Sequence, residues 1–143
     1  MRLELTKKGD YAVRSMLALA RDAGDRPVSA RRIADAMDIP VRFLPQVLGA
    51  LSRAGLVAAL PGRSGGYRLT RPAAEISLLD VIEAIEGESR RRTCVLRGGP
   101  CGLDGHCDVH AVFYAGQEAL LAELAGASFA DLVGRPAPVR RPA

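Results

Sequence analysis

Residues 41–70 read VRFLPQVLGALSRAGLVAALPGRSGGYRLT, a helical pattern followed by a hairpin pattern. Apolar side chains recur at the spacing of one buried helix face, and these are Leu44, Val47, Leu48 and Leu51. Because proline is tolerated only in the first turn of a helix, Pro45 predicts a helix start near Val41 or Arg42. The helix is predicted to run to about Ala54. Two strands, 56–60 and 67–70, are predicted to follow, joined by a tip rich in turn-forming residues.

Two further helices are predicted on the N-terminal side of this segment. The first spans residues 5–22, with an inner face of Val13, Met16, Leu17 and Ala20. The second spans 30–37, with Ser29 as its N-cap and a tight break at 38–40. Three helices followed by a hairpin is the element order of a winged helix-turn-helix.

On the C-terminal side, helices are predicted at 77–86 and 107–124, with a short helical turn at 128–133. Between them, residues 90–106 are too rich in glycine and arginine for a regular element. The fold class is therefore mainly α with a small β wing. The predicted organisation is a DNA-binding domain at 1–72, a linker helix, cysteine loop and dimerisation helix at 73–133, and a disordered tail at 134–143.

The bulk composition restricts the function. The 143 residues are 48% hydrophobic and 25% charged, with a net charge of +4, which permits nucleic-acid binding without requiring it. Neither a membrane-spanning run nor a secretory signal is visible in the sequence, so we expect a cytoplasmic protein. A catalytic constellation is also missing, so an enzyme is not expected.

Four residues are candidates for DNA contact. Arg42, Gln46 and Arg53 lie opposite the apolar face of the third helix, and Arg63 lies at the tip of the hairpin. Arginine can bind guanine bidentately and glutamine can bind adenine. The alternative is that these side chains are simply solvated, as most surface arginines are. The element order favours the DNA interface.

The three cysteines have the pattern C-x6-C-x5-C at Cys94, Cys101 and Cys107, with His106 and His110 beside the last one. A glycine-rich loop can bring three thiolates around one centre, and the arginines at 90–92 favour thiolates. Buried structural cysteines fit such a polar loop poorly. The spacing alone leaves an iron–sulfur cluster and zinc open, with a metal-free redox switch as a third reading.

Several of these segments together resemble the Rrf-two family of bacterial transcription regulators, over residues 1 to about 133. The segments are residues 5–13, 43–48, 55–57 and 65–69, with the three-cysteine loop at the matching separation. The resemblance implies a winged helix-turn-helix with a long dimerisation helix, a homodimer bound to a double-stranded DNA operator, and a 2Fe-2S or 4Fe-4S cluster that controls promoter binding. The sensed signal would be iron, redox state or nitric oxide.

The resemblance also implies ligands. Cys94, Cys101 and Cys107 match the cluster cysteines, while His110 and Asp10 match the fourth ligands of IscR-like and NsrR-like members respectively. Asp10 would have to come from the partner subunit, and its simpler role is that of a first-turn acid stabilising its own helix. We expect Asp10 rather than His110. Pro45, where the family more usually has an acidic residue, leaves the operator sequence open. A zinc- or thiol-based redox-sensing repressor is the alternative function.

Overall fold

The computed structural model describes residues 3–22, 24, 26–96, 98–99 and 107–134. Its helices and strands are α1 (Lys7–Arg21), α2 (Ala30–Met37), α3 (Leu44–Arg53), β1 (Val57–Leu60), β2 (Gly66–Leu69), α4 (Leu78–Glu86), α5 (Asp108–Gly126) and α6 (Phe129–Gly134). Short 3₁₀ turns precede α3 and α4, at Val41–Phe43 and Ala73–Glu75. The prediction of a mainly helical fold with a small antiparallel sheet is confirmed. The predicted disordered tail was wrong at its first residue, because Gly134 is the last residue of α6. Cys101, His106 and the rest of that tail, 135–143, lie outside the described residues.

Serine side chains cap two of the helices. The Oγ of Ser29 accepts from the backbone nitrogen of Arg32 at 3.2 Å, which confirms the predicted N-cap of α2. Ser77 caps α4 in the same way, and the carboxylate of Asp80 accepts in return from the nitrogen of Ser77 at 2.8 Å. Such reciprocal bonds satisfy backbone donors that the helix leaves unpaired.

The connection between α2 and α3 is a tight turn. α2 ends at Met37, and its C-cap residue Asp38 adopts the left-handed conformation with φ 52°. The nitrogen of Phe43 then donates to the carbonyl of Pro40 at 3.0 Å, which closes the 3₁₀ turn. The predicted helix start near Val41 or Arg42 therefore falls in this turn, and α3 itself begins at Leu44 with Pro45 in its first turn, as expected.

The wing is a two-stranded antiparallel sheet, in which Val57 pairs with Leu69 and Leu60 pairs with Gly66. Val28, just before α2, exchanges two backbone hydrogen bonds of 2.8 Å with Tyr67 on β2. The base of the wing is thereby attached to the start of the helix-turn-helix.

α1 is the centre of the core, since α2, α3, α4 and α6 all pack against it. The predicted face of α1 does turn to the core: Met16 and Ala20 are buried, and Val13 and Leu17 are half-buried and pack against the core. The other buried positions are Gly9, Tyr11, Ala12, Ser15, Ala18 and Leu19. A helix covered on several sides buries more than a single face. The predicted inner stripe of α3 is fully buried.

α6 returns the chain to this core. Phe129 is completely buried in the core, and α6 packs on α1 and on the 3₁₀ turn at Ala73–Glu75. Ser77 and Ser128 form a backbone bridge that holds α6 beside the start of α4.

α5 is long and largely uncovered. Leu121 is buried where α5 packs on α4, whereas residues 108–116 are all exposed. Apolar side chains of that exposed part include Val109, Val112, Phe113 and Tyr114. Within the described part of the chain, none of the helices is long and apolar enough to cross a membrane.

Candidate DNA interface and cysteine site

The candidate reading surface consists of the 3₁₀ turn and the outer face of α3. Arg42, Gln46 and Arg53 are all exposed there, at positions that share one helix face. Arg42 belongs to the turn rather than to α3, and its guanidinium lies 4.9 Å from the centre of the Phe43 ring. The exposed Arg42 thus lies at the entry to α3 with its guanidinium against the ring of Phe43. A guanidinium and an amide presented in this way can bond to base edges or phosphates.

The wing tip presents Arg63, which is exposed. Its neighbour Gly62 has a left-handed conformation with φ +102°. The next two glycines, Gly65 and Gly66, lie so close to other backbone atoms that a side chain would collide with them. A Cβ on Gly65 would lie 2.1 Å from the carbonyl oxygen of Leu60, and one on Gly66 would lie 2.5 Å from that of Val28. These two glycines therefore shape the wing, and Arg63 is the charge that the wing carries at its end.

Cys94 and Cys107 lie in one shallow concavity at the start of α5. Both are half-buried, and Cys107 is the residue immediately before the helix. The nitrogen of Cys94 donates to the carbonyl of Gly99 at 2.8 Å, and the nitrogen of Gly98 donates to the carbonyl of Cys94 at the same distance. These bonds fold the described part of the loop back on itself at Cys94.

His110 lines the same concavity, on the side formed by α5. Its backbone nitrogen donates to the carbonyl of Cys107 at 3.1 Å, and its ring stacks on Tyr114 with 6.0 Å between centroids. The rest of the lining is Arg91, Thr93, Val95, Leu96, Val109, Phe113 and Gln117. Two sulfurs and an imidazole around one concavity are donors suited to iron or zinc.

The arginines at 90–92 have partners of their own. Arg90 forms a bidentate pair with Glu118 on α5, and the backbone nitrogen of Arg91 donates to Gln117 at 2.7 Å. Arg92 pairs with Glu88 at 2.9 Å. The segment before Cys94 is thus attached to α5. The charges of Arg90 and Arg92 are paired with those of Glu118 and Glu88.

Asp10 occupies a different place. It lies in the first turn of α1, and both of its carboxylate oxygens accept hydrogen bonds from Arg14, at 3.0 and 2.5 Å. Among the described residues that line the cysteine concavity, Asp10 does not occur. Within the described ranges, moreover, no three histidine, cysteine or acidic side chains form a group that could hold a metal ion. The third cysteine of the predicted set, Cys101, lies outside those ranges.

The sequence interpretation overlooked Arg14. Its guanidinium, half-buried between α1 and the end of α2, bonds to Asp10 and to two backbone carbonyls of the helix-turn-helix. The hydrogen bond that Arg14 donates to the carboxylate of Asp10 is the main reason why the pKa of Arg14 is raised. The four-residue spacing between Asp10 and Arg14 was the available signal.

Comparison with known proteins gives consistent matches over nearly the whole chain. The model of the Rrf2 family, described as iron-dependent transcriptional regulator, matches residues 5–135. The repressor NsrR of Streptomyces coelicolor is 34% identical over 136 residues, which is 94% of this chain and 90% of that protein.

Two solved structures are similar in fold. CymR, described as the global cysteine regulator of B. subtilis, superposes with a TM-score of 0.81 at 26% identity, over 93% of this chain and 98% of that one. IscR of T. potens superposes with a TM-score of 0.73 at 27% identity, over 98% and 94% of the two chains.

Proposed function

This chain belongs to the Rrf2 family of transcriptional regulators, and from that membership we propose that it acts as a homodimer whose operator binding is controlled by an iron–sulfur cluster. It is a DNA-binding regulator and not an enzyme. The observation that carries the cluster proposal is the shared concavity of Cys94, Cys107 and His110 at the start of α5.

The DNA surface comprises the 3₁₀ turn, α3 and the wing tip. Arg42 and Gln46 would contact base edges in the major groove, while Arg63 would contact phosphate or the minor groove. Arg53, at the far end of α3, is suited to the backbone. All four side chains are exposed and the chain is positively charged, which supports this assignment.

The second subunit would cover the exposed face of α5. Val112 is 71% exposed and Phe113 is 42% exposed, whereas Leu121 farther along the same helix is buried. A helix face with this many apolar side chains is normally covered by a partner. We propose that a second copy of this chain covers the face of α5. Such a dimer would also bring together two winged domains, as a palindromic operator requires.

The cluster would be held by Cys94, Cys101 and Cys107. Two observations support this: Cys94 and Cys107 line one concavity, although with His110 they do not form a group that could hold a metal ion among the described residues, and the positive end of the α5 dipole favours an anionic group beside Cys107. When bound, a 2Fe-2S or 4Fe-4S cluster supplies a centre that responds to oxidants, iron supply or nitric oxide.

The fourth ligand is proposed to be Asp10 of the partner subunit, with His110 as the competing candidate. A carboxylate is a harder ligand than a thiolate and is more easily displaced, which suits a site that reacts with a small molecule. The likeness to NsrR supports Asp10, whereas the position of His110 in the concavity supports the imidazole.

A route from the cysteine loop to the DNA surface runs through packed helices. The segment before Cys94 is fastened to α5 by Arg90 and Arg91, α5 packs on α4, and α4 packs on α1 beside the helix-turn-helix. Ordering the loop around a cluster would therefore favour one of two dimer geometries. The distance between the two winged DNA-binding domains of the dimer would change with it.

A zinc- or thiol-based sensor is the second candidate. The structural likeness to a protein described as a cysteine regulator favours it. The two candidates differ in colour, since an iron–sulfur protein absorbs visible light and a zinc or metal-free protein does not.

The deciding experiment is purification under nitrogen, with a visible spectrum and analysis of iron, sulfide and zinc per chain. The cluster proposal requires iron and sulfide in near-equal amounts, and operator affinity that differs between the loaded and metal-free forms. A colourless protein that contains zinc, or one that contains no metal and changes affinity on thiol oxidation, would establish the second candidate instead.

A further inference from the structure

A row of three residues along the 3₁₀ turn and α3 has no hydrogen-bonding side chain. Pro45 and Gly49 lie four residues apart in α3, and Val41 lies four residues before Pro45 in the turn. Phe43 and Leu44, which join the turn to α3, both have right-handed helical backbone angles. The spacing of four therefore places Val41, Pro45 and Gly49 on one side of a continuous helical segment, as an apolar row.

The apolar row lies on the outer side of α3, beside the proposed base contacts. Val41 is 50% exposed, Pro45 is exposed and Gly49 is half-buried. Arg42 and Gln46 each follow a member of the row by one residue, so they form a polar row parallel to the first. A helix that brings Arg42 and Gln46 to base edges therefore brings the apolar row into the same groove.

Gly49 has no steric reason within the subunit. Glycine in the middle of a helix is less favourable than alanine, and the φ of Gly49 is not positive. Apart from the backbone of α3, a Cβ on Gly49 would meet only the Nη1 of Arg53 among the described residues, at an ordinary contact distance of 3.4 Å. Packing inside the subunit therefore does not require glycine here, whereas a ligand that approaches the outer side of α3 closely would favour it.

The chemistry of the apolar row selects the group that it can contact. In the major groove, base edges offer hydrogen-bond donors and acceptors and one apolar group, the C5-methyl of thymine. Valine and proline side chains neither donate nor accept hydrogen bonds, so the methyl group is the feature that gives them a favourable contact. Residues 39–74 also contain no Asp or Glu, so no carboxylate of this segment opposes a close approach to the phosphates.

We propose that Val41 and Pro45 contact thymine methyl groups in the major groove, and that the missing side chain of Gly49 lets α3 lie close to those bases. This inference rests on the proposed role of the 3₁₀ turn and α3 as the DNA surface. The operator then carries thymine at fixed positions beside the bases that Arg42 and Gln46 contact.

The test uses full-length protein purified under nitrogen and a duplex that the wild-type protein enriches from a random-sequence pool. Each thymine of this duplex is replaced in turn by uracil, which lacks only the C5-methyl and keeps the base pair. We expect at least one position in each half-site at which uracil lowers the affinity of the wild-type protein by about fourfold, the order for burying one methyl-sized group. The variant Val41→Ala/Pro45→Ala should bind the thymine duplex more weakly and should lose most of the discrimination against uracil.

Gln46→Ala is the matched control, because Gln46 belongs to the polar row of the same helix. This variant should bind the thymine and uracil duplexes more weakly by the same factor, so that the effect of uracil stays as in the wild type.

Gly49→Ala gives an independent measurement in which two quantities change in opposite directions. The free energy of unfolding should rise, because alanine favours the helix, while the affinity for the selected duplex should fall by about tenfold, the order for overfilling a close contact. Gly126→Ala is the control, since Gly126 ends α5 and a Cβ there meets open space among the described residues. It should leave DNA affinity unchanged.

Three results would overturn the inference. In the first, uracil has no effect at any position of the selected duplex. In the second, uracil has the same effect on Val41→Ala/Pro45→Ala as on the wild type, so that the methyl groups are contacted elsewhere. In the third, Gly49→Ala keeps the wild-type affinity, which contradicts the close approach. If the wild-type protein enriches no sequence from the pool, the proposed DNA surface itself fails, and the inference fails with it.

Discussion

The backbone nitrogen of Phe129 donates to the carbonyl oxygen of Ile76 over 2.9 Å, and both side chains are fully buried. Phe129 comes from α6, far along the chain, yet it completes the core around α1. Phe129→Ala should therefore lower the free energy of unfolding by about 3–5 kcal/mol, the usual cost of deleting a buried aromatic ring. Chemical denaturation checks this. Leu3→Ala is the control, because Leu3 is 73% exposed and its loss should cost under about 0.5 kcal/mol.

The wing glycines should differ in their tolerance of a methyl group. Gly66→Ala places a Cβ against the backbone of Val28, whereas Gly62→Ala meets open space and is strained only by its φ of +102°. We expect Gly62→Ala to cost about 1–2 kcal/mol of stability and Gly66→Ala clearly more, together with weaker DNA binding. Denaturation and DNA titration of the two variants measure the difference. Equal costs would mean that the contact between Val28 and the wing relaxes easily.

Arg42 and Arg63 should affect DNA binding in different ways. The DNA for this test is a duplex that the wild-type protein selects from a random-sequence pool. Arg42→Ala should weaken binding to it by about 1–3 kcal/mol, the range for one base contact. Arg63→Ala should weaken binding to all sequences alike and reduce the salt dependence by about one phosphate contact. Titrations at several salt concentrations measure both effects, with Arg21→Ala at the far end of α1 as the control. Wild-type affinity in both variants would place the interface elsewhere.

The uncovered face of α5 should be the dimer interface. Val112→Asp introduces a charge into an apolar contact, so light scattering at micromolar concentration should give a monomer. Val41→Asp is the control, since Val41 is also apolar and 50% exposed but lies beside α3. That variant should stay dimeric. A wild-type protein that is itself a clean monomer under these conditions contradicts the prediction.

Anaerobic reconstitution of Asp10→Ala and His110→Ala should identify the fourth ligand. We expect Asp10→Ala to shift the visible spectrum or shorten the lifetime of the cluster, and His110→Ala to leave both unchanged. A perturbation by His110→Ala alone would make the imidazole the ligand. Cys107→Ser is the reference variant, because loss of a thiolate ligand should prevent full cluster assembly.

Local signals in the sequence predicted most of the fold. Ser29 marks the start of α2, and the spacing of Leu44, Val47, Leu48 and Leu51 marks the buried face of α3, because capping and periodicity depend on nearby residues. The burial around α1 was harder to predict, since four helices and β2 pack against it and a single-face pattern does not describe such a helix.

Contacts in the functional sites were predictable only between residues that are close together in the sequence. Cys107 and His110 share one side of a helix start, so their common position follows from their spacing. The bonds from Arg14 to Met37 and Asp38 link residues more than twenty positions apart. Such a link depends on how α1 packs on α2, which neither periodicity nor spacing shows.

α5 packs on α4 with Leu121 buried, whereas the first half of the helix, which follows Cys107, is exposed. Asp108 and Leu121 are separated by about 20 Å of helix, at roughly 1.5 Å per residue, so a tilt of about 10° at Leu121 displaces the far end by about 3 Å. That displacement is comparable to the rise of one base pair, roughly 3.4 Å. In a dimer that is joined along its two α5 helices, a small repacking beside Leu121 would shift the two winged DNA-binding domains by about one base-pair step of DNA.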